Sequence, residues 1–168
     1  ANTARYAAVY GGSGDDYIEN NAADVYMWGQ DGNDKIINNG ANSCLIFGGN
    51  GDDTVEITKG TGHYLDAGDG NDNVTVLGSA SNATIYGGAG KNTITNKSGN
   101  NIGISGFGDA DNCSAIVINP SASKTVTING VSYSLVNQSS DRTSVVLYNY
   151  NSVSGETSFW GSYVDVHG

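Results

Sequence analysis

Four aspartates, Asp16, Asp34, Asp53 and Asp72, recur at an almost constant interval, and each closes a glycine-rich hexapeptide. Such a turn can aim its carbonyl oxygens inward, because glycine tolerates positive φ, and the aspartate adds a carboxylate. Carboxylate and carbonyl oxygens are the donors of a hard divalent cation; Ca2+ takes six to eight of them at about 2.3–2.6 Å. Asn92 stands one interval beyond Asp72 and offers a weaker amide oxygen, with Lys91 just before it. Asp111 stands one interval further on without the glycine framework and reads as a cap residue.

The segments carrying these residues are copies of one another. They read GGSGDDYI from Gly11, GQDGNDKI from Gly29, GGNGDDTV from Gly48, AGDGNDNV from Ala67, GGAGKNTI from Gly87 and a degenerate GFGDADNC from Gly106. A period of that length, about 19 residues, holds two short strands and two turns, one coil of a flattened solenoid. The predicted fold is therefore all-β: a right-handed parallel β-solenoid of about six coils. At about 4.8 Å per stacked strand it stands about 24 Å tall.

Two columns of the alignment are apolar and predicted to face inward. One holds Val9, Met27, Ile46, Leu65, Ile85 and Ile104, the other Ile18, Ile36, Val55, Val74, Ile94 and Cys113. Alternation places their neighbours outside. The edge opposite the aspartates reads NNAAD, NNGANS, TKGTGH, GSASN and KSGNN, polar turns suited to stacked asparagine amides.

The loop pattern GGxGxDxUx, with U a large apolar residue, resembles the nonapeptide of the repeats-in-toxin family over residues 11 to about 113. In that family both edges of the coil carry the motif. Here it recurs once per coil, which is more similar to the ice-binding region of certain bacterial adhesins. The resemblance implies Ca2+ as the cofactor, held between successive loops. The candidate metal residues are Gly11, Ser13, Gly14 and Asp16; Gly29, Asp31, Gly32 and Asp34; Gly48, Asn50, Gly51 and Asp53; Ala67, Asp69, Gly70 and Asp72; and Asn92. Four aspartates in sequence make about three strong sites, and the gap between Asp72 and Asn92 a weak fourth, where the Lys91 ammonium stands in for a cation. Glycine and aspartate are also plain turn formers. Four stacked like charges about 4.8 Å apart nevertheless need neutralising. The resemblance further implies export of an unfolded chain and folding outside the cell, in a secreted or surface-attached bacterial protein.

Charge agrees with a cation partner. Asp and Glu number 17 against 7 Lys and Arg, a formal net charge of −10. That disfavours nucleic acid and anionic membranes. No apolar run is long enough to insert in a membrane and no signal peptide is read. An enzyme is not expected: the only histidines are His63, in an inner strand column, and His167, and the only arginines are Arg5 and Arg142.

One outer face is aromatic, with Tyr10, Tyr26, Trp28, Phe47, Tyr64 and Tyr86 as a candidate ligand face. Three occupants are open: the chain's own C-terminal segment, a protein partner or neighbouring domain, or a glycan stacked on the rings. The other outer face carries Thr75, Thr93 and Thr95 interrupted by Glu19, Lys35 and Glu56, too irregular for an ice-binding array. Residues 1–114 read as the repeat domain. Residues 115–168 leave it and read as an antiparallel β cap, with a hairpin about Asn129-Gly130 and strands in SVVLYNY and TSFWGSYVDV. Cys44 and Cys113 are expected to be free thiols, too far apart for a disulfide.

Overall fold

The computed structural model describes residues 1–90, 92–98, 100, 102–107, 115–118, 124–128, 131–135, 144–150 and 157–160. Its strands are β1 (Ala8–Ser13), β2 (Tyr17–Asn20), β3 (Tyr26–Asp31), β4 (Lys35–Asn38), β5 (Leu45–Asn50), β6 (Thr54–Ile57), β7 (Tyr64–Asp69) and β8 (Asn73–Val76). They continue as β9 (Ala83–Gly88), β10 (Thr93–Asn96), β11 (Ile102–Phe107), β12 (Ala115–Ile118), β13 (Lys124–Ile128), β14 (Val131–Leu135), β15 (Ser144–Tyr150) and β16 (Thr157–Trp160). Odd-numbered strands up to β13 stack in one sheet and even-numbered strands up to β12 in the other, all parallel. The chain is a β-solenoid.

The register follows the apolar columns. Val9, Met27, Ile46, Leu65, Ile85 and Ile104 pair in succession in the first sheet, and Ile18, Ile36, Val55, Val74 and Ile94 in the second. Met27, Ile36, Ile46, Val55, Leu65, Val74, Ile85 and Ile94 are completely buried between the sheets. Burying each such side chain contributes about 1.5–3 kcal/mol. A slip of one residue would turn a whole column to solvent, so the pleat fixes the register.

Corners are as regular as strands. Before each strand of the first sheet the chain passes through positive φ at Tyr6, Asp24, Ser43, Gly62 and Asn82, and within the acidic loop at Gly12, Gln30, Gly49, Gly68 and Gly88. Gln30 holds a φ of 85° in a column otherwise made of glycine. A left-handed residue at the same place in every coil lets the backbone ladder continue around the bend.

The sixth coil departs from the spacing rule, which sets Cys113 opposite Ile94. The register instead sets Ile116 there, while Phe107 still pairs with Gly88. The sixth loop thus carries three extra residues, and Asp111 and Cys113 lie outside the described residues, as does Lys91. Parallel stacking also passes the expected boundary at residue 114: β12 pairs with β10, and β13 with β11. The antiparallel cap is then β14 on β13, and β15 with β16 on β12. The expected Asn129-Gly130 turn itself lies outside the described residues. Within the described residues the antiparallel strands add to the ends of the two sheets by edge pairing. On the aromatic face Tyr10 and Tyr26 are 60% and 44% exposed.

Candidate metal centre

Two residues before the inner apolar column of the second sheet, alternation turns the aspartates into the coil. Asp34, Asp53 and Asp72 are at most 2% exposed and Asn92 is completely buried, while Asp16 at the end of the stack is partly covered. Their Oδ1 atoms form a ladder. The backbone N–H of Asp16 donates to Asp34 Oδ1 at 2.8 Å, that of Asp34 to Asp53 at 2.8 Å, that of Asp53 to Asp72 at 2.9 Å and that of Asp72 to Asn92 at 2.8 Å.

The second carboxylate oxygen has no such use. Oδ2 of Asp16, Asp34, Asp53 and Asp72 is buried in each case and meets no donor. In Asp16, Asp34 and Asp53 it lies against the first glycine of its own loop, on the face where that residue has no Cβ. A Cβ built on Gly11 would stand 2.8 Å from Asp16 Oδ2 and 2.6 Å from the carbonyl oxygen of Gly29 in the next coil. The same two intrusions recur at Gly29, from Asp34 Oδ2 and the Gly48 carbonyl, and at Gly48, from Asp53 Oδ2 and the Ala67 carbonyl. Two acceptors thus converge on the Cα–H of one glycine, with no N–H or O–H donor reaching the carboxylate oxygen, three coils in a row. Ala67 changes the fourth coil by placing a buried methyl group on that face.

Burial is the leading electrostatic cost. It pushes the carboxyl of Asp34 above its ordinary range, that of Asp53 up to about 6 and that of Asp72 up to about 7; the ladder N–H bonds oppose the rise and neighbouring aspartates add to it. An acceptor-only group in a dry place needs a proton or a cation. Oxygen-only donors, carboxylate plus carbonyl, are the set that Ca2+ takes. The residues fit that ion, with backbone as the majority donor: among the described residues no three His, Cys, Asp or Glu side chains gather around a common point.

Not every candidate sits at this centre. Ser13, Asp31, Asn50 and Asp69, the third residues of the loops, are exposed on the rim, where Asn50 Nδ2 donates to Asp31 Oδ1 at 2.8 Å. Gly14, Gly32, Gly51 and Gly70 hold positive φ and turn the loop back. Spacing alone missed the fifth position, whose ladder runs the other way. Asn33 N–H donates to Asp15 Oδ1 at 2.8 Å, Asp52 N–H to Asn33 Oδ1 at 2.8 Å and Asn71 N–H to Asp52 Oδ1 at 2.7 Å. The signal was present, since Asp and Asn alternate there.

The opposite edge has its own buried polar column. Asn2 Nδ2 donates to Asn20 Oδ1 at 3.0 Å, and Asn20 Nδ2 to Asn38 Oδ1 at 2.9 Å. The ladder ends on His63. Its Nδ1 lies 3.2 Å from both Asn38 Nδ2 and the backbone N of Cys44, and its Nε2 is 2.9 Å from the Lys59 carbonyl. That pattern requires the neutral ring protonated on Nε2, and burial lowers the ring's pKa accordingly. His63 is a packed structural ring, 1% exposed. Cys44 is a buried free thiol, its pKa raised by burial.

On the aromatic face Tyr10, Trp28 and Phe47 stack with centroids 4.7 and 5.5 Å apart and planes within 7°. Tyr26 joins Trp28 at 5.8 Å, and the column runs on through Tyr64 and Tyr86 at tilted angles. In the parallel part of the column each ring face meets its neighbour, and edges remain for solvent. A sugar platform needs open faces, so this stacking favours a stabilising ladder. Comparison with protein-family models, with curated proteins and with solved structures finds no match to this chain.

Proposed function

We propose that this chain is a calcium-binding structural module whose folding is controlled by the ion. The observation that carries the reading is the column of four buried Oδ2 atoms without a donor, three of them facing a carbonyl oxygen of the next coil across a glycine. Neutralising them with a divalent cation removes the like-charge repulsion and satisfies both oxygens at once. Ca2+ supplies charge and six to eight coordination positions; the chain supplies oxygens already aimed by the strand register. About three ions bind, over Gly11, Gly29 and Gly48. Such a module suits a compartment with abundant free calcium, a secreted or surface protein whose other domains do the binding or catalysis. The chain's role is to fold into a rigid spacer when the ion arrives.

Circular dichroism and equilibrium dialysis against calcium, magnesium and chelator test the reading. Calcium should be retained at about three ions per chain, on the donor arithmetic above, and chelation should strongly lower the melting temperature. A melting curve that chelation leaves unchanged overturns it.

A further inference from the structure

The fifth coil solves the problem of the aspartate column without an ion. Asn92 occupies the aspartate position, and its Oδ1 takes the Asp72 backbone N–H at 2.8 Å just as the carboxylates take theirs. Where the aspartates present Oδ2, Asn92 presents Nδ2, and this amide donates to the Gly87 carbonyl at 2.5 Å. Gly87 is the residue equivalent to Gly11, Gly29 and Gly48. An amide carries on one group both the acceptor the ladder needs and the donor the loop carbonyl needs. The aspartates carry the first and lack the second.

From this we infer that Asn92 is a built-in replacement for a bound cation, which closes the fifth loop and ends the ion column. The consequence reaches back one coil. The Gly87 carbonyl, the oxygen that Asp72 would share with an ion by analogy with the three coils before it, is already engaged by the amide. Ala67, where the three earlier loops have glycine, adds a buried methyl group to that loop. Ion binding therefore stops after Asp53, and the C-terminal end of the stack stays assembled when calcium is withdrawn. The stack then has a direction: a fixed coil at Asn92 on which the calcium-dependent coils are laid toward the N-terminus.

This inference rests on the calcium reading, and two exchanges separate the fates of the two. Asn92→Asp removes the internal donor; Asp53→Asn, facing Gly48 as Asn92 faces Gly87, installs one. Bound calcium and the melting temperature in chelator at pH 8 are measured for both and for the parent chain. Asn92→Asp should bind at least one more ion per chain, melt about 5 °C lower in chelator and regain the parent melting temperature in saturating calcium. Asp53→Asn should bind one ion fewer and melt higher in chelator. An Asn92→Asp chain that keeps the parent ion count and the parent melting temperature in chelator overturns the inference. So does an Asp53→Asn chain that melts lower in chelator, which keeps the test decisive if Asn92→Asp does not fold. If the parent binds no calcium while both exchanges shift melting as expected, the calcium reading falls and the amide closure stands. If the parent binds calcium and neither exchange shifts melting or count, the reverse holds.

Discussion

The two edges of the coil bury polar columns of similar geometry and opposite chemistry. On one edge Asn20 and Asn38 give and accept hydrogen bonds along the stack and end on a neutral imidazole, so donors and acceptors balance within the chain. On the other, Asp34, Asp53 and Asp72 are acceptors only; half of each carboxylate is used and half has no donor. The difference is one of atoms, amide nitrogen against carboxylate oxygen. A buried amide ladder is self-sufficient, whereas a buried carboxylate ladder needs a proton or a counter-charge that the ladder itself does not supply. On the calcium proposal one edge is a constant of the fold and the other a condition for it.

The largest effect that can break this comparison is removal of the ion. Each site occupied at 100 times its dissociation constant adds about 2.7 kcal/mol, so three add about 8 kcal/mol. That is of the order of a whole domain's stability. Melting followed by circular dichroism should show a large fall in the parent chain's melting temperature in chelator. If it melts alike with and without calcium, the two edges are equivalent and the contrast disappears.

Single substitutions on the two edges should then part company. Asn38→Ala strands the Gly40 N–H and the Asn20 amide, both of which donate to its side chain, and should cost about 3 kcal/mol. The loss should be equal in calcium and in chelator. Asp53→Ala strands the Asp34 N–H in either condition, but should cost more in saturating calcium, by the lost site, than in chelator, where removing a carboxylate that has nothing to neutralise it offsets that loss. Denaturant melts of both variants under both conditions make a four-way test. Equal calcium dependence of the two losses would refute the assignment of edges.

Much of this contrast could be read before any coordinates. The near-constant period, the alternation around Met27, Ile46 and Leu65 and the recurrence of aspartate set coil, register and acidic edge. Two things could not be read. The three residues gained between Phe107 and Ile116 carry no compositional mark, so a spacing rule sets Cys113 where Ile116 belongs. Nor does a list of motifs say which carboxylate oxygen is used: the Oδ1 ladder and the unpaired Oδ2 depend on how far each coil slides against the next. Asn92 looked like a weak aspartate in the sequence and proves to be a donor.

The edges should also answer pH with opposite signs. Burial raises the folded-state pKa of Asp53 to about 6 and of Asp72 to about 7, above the unfolded value of 3.8. In chelator the folded chain therefore holds protons that the unfolded chain releases, and stability present below pH about 4 is lost as the pH rises through 6 to 7. His63 works the other way. Its folded pKa is lowered from 6.5, so its contribution is present above that value and lost as the pH falls below it. The chelated chain should melt higher at pH 5 than at pH 8, and His63→Gln should widen that gap by removing the opposing group. A chelated chain more stable at pH 8 would show that the carboxylates are not the dominant buried charges.

The smallest effect sharpens the comparison from outside both edges. Trp28 is half-buried on the outer face, stacked between Tyr10 and Phe47 with Tyr26 beside it. It touches neither the aspartate nor the asparagine column, and its contribution is ring contact and apolar area. Trp28→Ala should cost about 2 kcal/mol, less than a fully buried tryptophan because part of the ring already faces water. If the strands between the edges respond only to their own packing, that cost is the same in calcium, in chelator with the folded state still populated, and across pH 5 to 8. Chemical denaturation at several calcium concentrations measures it. A cost that grows as calcium is withdrawn would mean that the ions also tighten the stacking of coils on the outer face. The acidic edge would then govern the spacing of the whole solenoid and not its own loops alone.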